Sequence, residues 1–346
     1  NLSKSIELNN KNYLKKYIFT LVNNEQISKT IKEISNWKKN RNINDFEMNV
    51  LLLIDSLIKK EQEKGKIIMS DLLDSKNENT YEPVIYEILK SYYELFIFNE
   101  INVKSDNQFG RLSAITNAFQ NCYLDTDKTD QLFLNLINSP DGNYSRYLFF
   151  YFSKKIEEKD YETVRQISST IDPIDNGLLI LQSKNWIDKS NMKKFNKVFS
   201  CKNPKHLLSE FFFLMANLYA SDDDYILSNF YLNISHYLNP NFYYNLTLLA
   251  ENYYVYENYE ATKKVFNKFD NKDDVYAWYQ IKKKSKIISK EKNDVEALNF
   301  IQSKFIKIQE ASLQINFDMA NIYKGFKKYE KAIKLYTFVI DKIDKN

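Results

Sequence analysis

The residue types most often used in metal binding and thiol chemistry are sparse in this sequence. The two histidines, His206 and His236, lie 30 residues apart, and neither has a His, Cys or carboxylate at ligand spacing on the same helix face. Both are therefore predicted to be core or surface residues rather than metal ligands. The two cysteines, Cys122 and Cys201, have no CxxC partner. They are expected to be small buried apolar residues, although a single disulfide between them stays open.

The acidic run SDDD at residues 221–224 contains the oxygen ligands that calcium prefers, but the glycine turn and the distal glutamate of a calcium loop are absent. A turn with an Asp cap for the following helix explains it better. Glycine-rich phosphate loops, GxSxG nucleophile elbows and paired Cys/His nucleophiles are also missing from the sequence. The chain is thus predicted not to be an enzyme and to need no metal or cofactor.

The composition favours an all-helical protein. The chain of 346 residues has only five Gly and five Pro, the residues that supply the special backbone angles of a turn-rich β protein. Its 44% apolar and 27% charged residues are typical of an ordered chain. The 49 basic and 45 acidic residues are well mixed, so there is no strong electrostatic case for nucleic acid. The longest uncharged stretch, 225–250, contains many Asn and a His, so no membrane span is expected.

Any functional site must be positioned by helices, and a repeat in the C-terminal part of the sequence predicts how these helices are arranged. Four times, a small residue is followed after three positions by an aromatic or branched apolar residue, and after nine more by a second small or β-branched residue. The four units are Ala216/Tyr219/Ser228, Ala250/Tyr253/Thr262, Ser285/Ile288/Ala297 and Ala320/Tyr323/Ala332. Their first members lie 34, 35 and 35 residues apart. This period predicts a helix-turn-helix array in which each unit stacks on its neighbours.

The units also match a known consensus, in which W-x2-L-G-x2-Y is followed by A-x3-F and then by P. The first unit gives Phe212-x2-Met215-Ala216-x2-Tyr219, Ser228-x3-Leu232 and Pro240. The second and fourth give Leu246-x2-Leu249-Ala250-x2-Tyr253 with Thr262-x3-Phe266, and Asn316-x2-Met319-Ala320-x2-Tyr323 with Ala332-x3-Tyr336. The third, Ile281-x2-Lys284-Ser285-x2-Ile288 with Ala297-x3-Ile301, matches least well. The chain thus resembles tetratricopeptide repeat proteins, and its layout is similar to that of a group of bacterial, especially alphaproteobacterial, repeat proteins.

The resemblance implies an all-α fold, a right-handed α-solenoid of stacked antiparallel helix pairs whose concave groove binds peptide segments or partner proteins. Residues 1–100 are expected to form degenerate repeats of this type, and 101–204 irregular helical hairpins. Residues 205–346 should form four clear repeats, at about 209–242, 243–277, 278–312 and 313–346. The boundary near Pro204 is expected because a proline disfavours helix in the residue before it.

The helical period also predicts which side chains face the groove. Positions i, i+3, i+7 and i+10 along the first helix of each unit, on the side away from the small residue, form one row. The row mixes aromatic anchors with amide and charged groups, as a peptide groove requires. Its members are Glu210, Phe213, Asn217, Tyr244, Thr247, Glu251, Tyr254, Tyr279, Lys282, Lys286, Gln314, Phe317, Asn321 and Lys324. An ordinary solvated face is the alternative interpretation.

The sequence therefore predicts a non-enzymatic scaffold that binds a protein or peptide partner, with no nucleic acid. One alternative is the repeat arm of a larger enzyme, such as a glycosyltransferase or a peptidoglycan-acting hydrolase, whose catalytic part lies outside these residues. Another is nucleic-acid binding by the Lys-rich helix at 282–292, which predicts steeply salt-dependent retention on a polyanion. No signal peptide is visible, and the compartment stays open between a cytoplasmic location and, if an export leader precedes Asn1, a periplasmic one.

Overall fold

The computed structural model describes residues 11–40, 43–102, 110–140, 145–269 and 273–343. Over these ranges the chain forms nineteen helices and no strand, which confirms the predicted all-α class. The first ten are α1 (Lys11–Asn23), α2 (Ile27–Asn40), α3 (Phe46–Lys59), α4 (Gln62–Ser75), α5 (Glu82–Phe98), α6 (Arg111–Leu124), α7 (Thr129–Ile137), α8 (Tyr147–Glu157), α9 (Tyr161–Ser169) and α10 (Leu178–Asp188). The others are α11 (Lys193–Val198), α12 (Pro204–Ser221), α13 (Tyr225–Leu238), α14 (Tyr244–Val255), α15 (Tyr259–Phe266), α16 (Asp274–Glu291), α17 (Asp294–Phe305), α18 (Leu313–Gly325) and α19 (Tyr329–Ile343).

The turns inside the first two repeats share one construction. Asp223 and Glu257 adopt left-handed backbone angles, with φ of 60° and 57°, and each is followed by a residue that caps the next helix. Asp224 accepts a hydrogen bond from the Leu227 amide at 3.0 Å, and Asn258 accepts one from the Ala261 amide at 3.1 Å. The prediction that the SDDD run ends in a helix cap is therefore confirmed.

Consecutive helices pack as pairs: α3 with α4, α6 with α7, α12 with α13, α16 with α17 and α18 with α19. The small residues of the repeat are buried, and Ala216, Ala250 and Ala320 are each at most 1% exposed. In the third repeat the hydroxyl of Ser285 donates to the carbonyl oxygen of Ala297, at 3.0 Å. The burial expected of these small residues is confirmed, and the first, third and fourth repeats also show the close packing of their two helices.

The second helix of each repeat lies against the first helix of the next. Between α13 and α14, the amide of Asn252 donates to the Ser228 hydroxyl at 2.8 Å. Between α15 and α16, the rings of Phe266 and Tyr279 meet edge to face, 6.3 Å apart. The last junction is an apolar cluster in which residues of α17 pack against residues of α18, including Leu298, Ile301, Ile315, Met319 and Tyr323. Apolar burial and buried hydrogen bonds thus hold neighbouring repeats together.

The chain divides into two compact units, each made of two chain segments. Unit 1 comprises Asn1–Lys154 and Asn196–Asn252, and unit 2 comprises Lys155–Phe195 and Tyr253–Asn346. The three ranges predicted from the sequence differ in how closely they follow the repeat, whereas the two units are defined by packing in space. The two units therefore do not test the three predicted ranges. No helix in the described ranges combines the length and the apolar character that a membrane span requires.

Unit 1 joins segments that are far apart in the sequence. Helix α1 lies against α13, where the rings of Phe19 and Phe230 stack with centroids 4.4 Å apart. A disulfide links Cys122 of α6 to Cys201, just before α12, across 79 residues of sequence. Both cysteines are buried, as expected, but the expectation that they serve as unpaired apolar residues is wrong. The sequence analysis left a single disulfide open, and the structure contains it.

Candidate binding cavity

Unit 2 contains a cavity of about 1210 Å³. Three parts of the unit form its walls: the segment from α9 to α10, one face of α16, and the residues leading into α18 with that helix's first turns. The aromatic side chains of Trp278 and Tyr279 form an apolar floor, and both are buried. Charged side chains from all three walls surround this floor.

The period of α16 determines which of its residues reach the cavity. Residues four apart on a helix share a face, and Asp274, Trp278, Lys282 and Lys286 follow that spacing along the cavity wall. The helix begins at a cap, because a carboxylate oxygen of Asp273 accepts hydrogen bonds from the Val275 and Tyr276 amides at 3.1 and 3.4 Å. The cap fixes where the cavity face of α16 starts.

Helix α10 is held against α16 by polar contacts. The amide of Gln182 donates to the Asp273 carboxylate at 2.8 Å, and the Lys189 ammonium donates to the Asp274 carboxylate at 2.7 Å. The hydroxyl of Tyr276 lies 3.4 Å from the amide oxygen of Gln182. Gln182 and Tyr276 are buried, so these contacts satisfy polar groups that would be costly to bury alone. They attach one wall of the cavity to the next.

Asp318 connects α18, which forms the third wall of the cavity, to α16. Its carboxylate accepts hydrogen bonds from the Trp278 indole N–H at 2.8 Å, from the Lys282 ammonium at 2.6 Å and from the Gln314 amide at 3.1 Å. The Lys282 and Asp318 side chains are 30% and 16% exposed, respectively. Two of these donors, Trp278 and Lys282, connect α16 to α18, and the bond from Trp278 fixes the orientation of the indole on the cavity floor.

The lining side chains carry more positive than negative charge, six cations against four carboxylates. The cations are Arg165, Lys184, Lys189, Lys282, Lys283 and Lys286, and the carboxylates are Asp188, Asp274, Glu310 and Asp318. Three of the carboxylates, Asp188, Asp274 and Asp318, have a lysine ion-pair partner within the lining. The exposed Arg165 forms no hydrogen bond or ion pair with the residues the structure describes. The cavity can therefore attract a ligand that is anionic overall.

Three of the predicted groove residues, Tyr279, Lys282 and Lys286, line the cavity, as does Gln314 from the same predicted row. Tyr254 lies next to this group, because the Lys283 ammonium sits 5.0 Å from its ring centroid. Other predicted residues of unit 2 lie elsewhere. Phe317 packs on the ring of Tyr336, the side-chain oxygen of Asn321 accepts from the Tyr336 hydroxyl, and Lys324 is exposed.

The predicted groove residues of unit 1 have different surroundings. Phe213 and Tyr244 lie against the guanidinium of Arg146, with ring centroids 4.5 and 5.1 Å from its central carbon. Arg146 pairs with the buried carboxylate of Glu210, and one of its two hydrogen bonds measures 3.1 Å. Burial raises the pKa of Glu210, and the charge of Arg146 opposes that shift. These two aromatic side chains therefore cover an ion pair.

The remaining predicted residues of unit 1 lie close by on the same helices. Thr247 is buried, and its hydroxyl donates to the Tyr244 carbonyl oxygen at 2.6 Å. Glu251 is half-buried and Asn217 is exposed. The structure thus gathers the row at the cavity only around Tyr279, Lys282 and Lys286, and a partner-binding role for the other members stays a prediction.

The sequence predicts that His206 is not a metal ligand, and in the structure this side chain makes a hydrogen bond to the backbone. Its Nδ1 accepts a hydrogen bond from the Ser200 amide at 3.0 Å. Burial lowers its pKa from the ordinary value of 6.5 to about 4. Within the described residues, no group of three His, Cys, Asp or Glu side chains is arranged to hold a metal ion.

Several cavity residues were missed from the sequence. Trp278 and Asp318 lie on repeat helices, and extending the spacing of four from Lys282 back to Trp278 would have found the indole. Arg165 and Lys184 lie in the middle segment, which follows no 34-residue period. No sequence signal could have placed them beside α16, because the contact depends on how α10 docks.

Comparison with known proteins does not identify the fold or the function of the cavity. No protein-family model matches this chain, and no curated protein or solved structure matches it either. The resemblance to tetratricopeptide repeat proteins therefore stays a prediction from the sequence, and the function of the cavity is inferred from its own geometry.

Proposed function

We propose that this protein is a non-enzymatic scaffold that binds a segment of a partner protein in the cavity of unit 2. The observation that carries the proposal is an aromatic floor with cationic side chains on two of the three attached walls, the α9–α10 segment and α16. We also propose that the helix pairs follow a right-handed superhelix of the tetratricopeptide type. The 34 to 35 residue period and the buried small residues of the repeats support it.

The size of the cavity favours a peptide over a small molecule. Sites for small ligands usually measure about 300–1,000 Å³, and this cavity is larger, at about 1210 Å³. Its lining combines apolar side chains with side-chain amides such as Gln314 and Asn185. Amides can pair with the backbone of a bound segment, while the apolar floor buries one of its side chains.

The charge of the lining indicates the kind of segment. An apolar or aromatic side chain would lie over Trp278, and acidic side chains on either side would meet Arg165 and Lys286, which are both exposed. Charge-assisted hydrogen bonds to guanidinium and ammonium groups are among the stronger polar contacts. The partner segment is therefore acidic, with at least one large apolar residue.

The attached walls contribute to affinity. The Asp318 carboxylate holds the indole and Lys282 before a ligand arrives, so binding does not have to order them. Immobilising a flexible side chain on binding costs about 0.5–1.5 kcal/mol. A site that is already ordered avoids that cost.

Selection from a displayed random-peptide library tests the proposal. The enriched peptides should carry acidic residues next to an aromatic or aliphatic residue, and Lys286→Glu and Arg165→Glu should each weaken their binding at least tenfold. Lys290→Glu is the matched control, since Lys290 is exposed on the same helix but does not line the cavity. A library that yields no binder, or binders that tolerate both cavity substitutions, would contradict the proposed function.

A further inference from the structure

The disulfide joins the two chain segments that make up unit 1. The chain leaves unit 1 after Lys154, contributes Lys155–Phe195 to unit 2 and returns to unit 1 at Asn196. Cys122 belongs to the segment before this excursion, and Cys201 belongs to the segment after it. The bridge is therefore a direct covalent connection between two segments that the backbone connects only by way of unit 2.

The bridge lies in a packed contact between these segments. Lys202 follows the second cysteine, and its ammonium donates to the carbonyl oxygen of Tyr123, which follows the first cysteine, at 3.1 Å. Phe119 and Phe199, which precede the two cysteines, meet edge to face with ring centroids 5.8 Å apart. Neighbours of both cysteines thus touch in the folded protein, so the fold itself brings the two sulfur atoms together.

The bridge is closed to solvent in folded unit 1. Both cysteines are only 2% exposed. A thiolate breaks a disulfide by attacking one of its sulfur atoms, so the reaction needs access to that atom. Because burial prevents this approach, thiols in solution can reach the bridge only when unit 1 opens locally or unfolds. The bridge is therefore a structural one rather than an exchangeable switch.

Forming the bridge requires an oxidant, because the two thiols must give up two electrons and two protons. The disulfide of a thiol–disulfide oxidoreductase has the required chemistry. One cysteine thiolate attacks that disulfide to form a mixed disulfide, and the second thiolate then attacks the mixed disulfide. The bridge forms, and the oxidant leaves as a dithiol that carries the two electrons and two protons. The sequence contains no third cysteine, so only one intramolecular pairing exists and no isomerisation has to follow.

We propose that this protein matures in an oxidising compartment, where a thiol–disulfide oxidoreductase joins Cys122 to Cys201 as unit 1 folds. Structural disulfides persist in such compartments, whereas glutathione and thioredoxin keep the thiols of cytosolic proteins reduced. Of the cytoplasmic and periplasmic locations that the sequence leaves open, the buried bridge favours the periplasmic one. This maturation step involves unit 1 and does not depend on the peptide-binding function.

Thiol trapping in the cells that naturally make the protein tests the compartment. The cells are quenched with acid, their proteins are denatured, and free thiols are coupled to a maleimide that adds a visible mass. The chain should run unshifted on an immunoblot, and after reduction it should shift by two maleimides, because it has two cysteines. A shift by one or two maleimides without reduction would overturn the proposal, since the bridge would then be absent in the cell.

Export of the full chain to the periplasm of a bacterium, with and without its dithiol oxidase, tests the need for an oxidant. Without the enzyme, the amount of trypsin-resistant wild type should fall about tenfold, and a small disulfide in the medium should restore it. Cys122→Ser combined with Cys201→Ser is the matched control, and its amount should be the same in both strains. Equal amounts of wild type in the two strains would contradict the proposed oxidation step.

Reduction of the purified protein by dithiothreitol tests whether the bridge is structural. Reduction in native buffer should be at least about a hundredfold slower than in urea, because the sulfur atoms become accessible only on opening. Equal rates in the two solutions would show an exchangeable bridge and would remove the basis for assigning the compartment.

Discussion

The two units use buried and half-buried charges differently. In unit 1, Arg146 pairs with Glu210 and Lys15 pairs with Glu47, and both carboxylate side chains are only 2% exposed. In unit 2, Lys282 pairs with Asp318 at the edge of the cavity, where both side chains keep some contact with solvent. The first arrangement places ion pairs in the interior, and the second places them in the walls of a cavity. The same chemistry thus lies in the interior of one unit and in the lining of a cavity in the other.

The units also differ in how they join distant parts of the chain. Unit 1 is tied by a disulfide and by aromatic stacking between its first and later helices. Unit 2 is tied across its two segments by hydrogen bonds from α10 to the start of α16. Substitutions in the ties of unit 1 should therefore lower stability most, whereas substitutions around the cavity should affect binding more than folding. Amide hydrogen exchange read by segment distinguishes the two units within the whole chain.

Removing Arg146 should have the largest effect. Arg146→Met leaves the carboxylate of Glu210 buried without its partner, and we expect a loss of about 3–5 kcal/mol in the free energy of unfolding, measured by urea denaturation. Hydrogen exchange should rise first in α12 and α14, which carry Glu210 and Tyr244.

The double variant with Arg146→Met and Glu210→Met is the control for that experiment. Replacing both charges with apolar side chains of similar volume is often nearly neutral, so most of the stability should return. If the single variant were as stable as the wild type, the interior ion pair would not stabilise unit 1 in the way described.

Removing the disulfide should have the next largest effect. The combined change of Cys122→Ser and Cys201→Ser frees a loop of 79 residues in the unfolded chain, and the chain-entropy relation gives a loss of about 4.5 kcal/mol. The urea midpoint of the oxidised wild type should fall to that of the variant when a reductant is added. Equal midpoints for the oxidised and reduced wild type would show that the bridge does not contribute.

The regular part of this fold could be predicted from the sequence. The helix class, the turn capped by Asp224 and the burial of Ala216, Ala250 and Ala320 all follow from local patterns with a period of 3.6 residues or of 34 to 35 residues. Each of these features depends on residues that are near in sequence or repeat in phase. The physical requirement, close approach of two helices, is the same in every repeat.

The features that give each unit its character could not be predicted in this way. The Cys122–Cys201 bridge, the stacking of Phe19 on Phe230 and the docking of α10 on α16 join residues far apart in sequence with no shared period. The predicted row extended through both units because it followed the period alone. Near Phe213 and Tyr244 the space beside the row is filled by Arg146, which comes from an irregular segment.

Glu47 should make the stability of unit 1 depend on pH. Burial, together with the nearby carboxylate of Asp45, raises the pKa of Glu47 from the ordinary value of 4.5 to about 7, although Lys15 opposes the shift. Because the folded state holds this proton more tightly than the unfolded state, the contribution of Glu47 is most favourable below pH 4.5 and is lost as the pH rises to 7. The expected loss is about 3 kcal/mol.

Comparison with Glu47→Gln isolates that contribution. The neutral amide does not titrate, so only the wild type should respond to the protonation of residue 47. The difference in unfolding free energy between the variant and the wild type should therefore change between pH 4.5 and pH 7.5 and stay constant above pH 7.5. A difference that is independent of pH would show that the pKa of Glu47 is not raised in the folded protein. Glu47 and Lys15 would then form a charged pair at neutral pH.

Asp318→Asn should have the smallest effect on stability and a clear effect on the cavity. The amide keeps the shape of the carboxylate but loses its charge, so the hydrogen bonds from the Trp278 indole and the Lys282 ammonium weaken, and we expect a loss of about 1–2 kcal/mol. Hydrogen exchange should rise in α16 and α18 and not in α12.

Glu291→Gln, which changes a surface partner of Lys263 in the same way, is the matched control and should change stability less. The change makes the lining more positive, which favours an acidic peptide, but it also releases Lys282 and the indole, which binding must then order at a cost of about 0.5–1.5 kcal/mol each. These two effects should offset each other, so an acidic peptide should bind Asp318→Asn about as tightly as the wild type. Weaker binding with normal stability would show that the orientation of Trp278, more than the charge of the walls, decides what the cavity accepts.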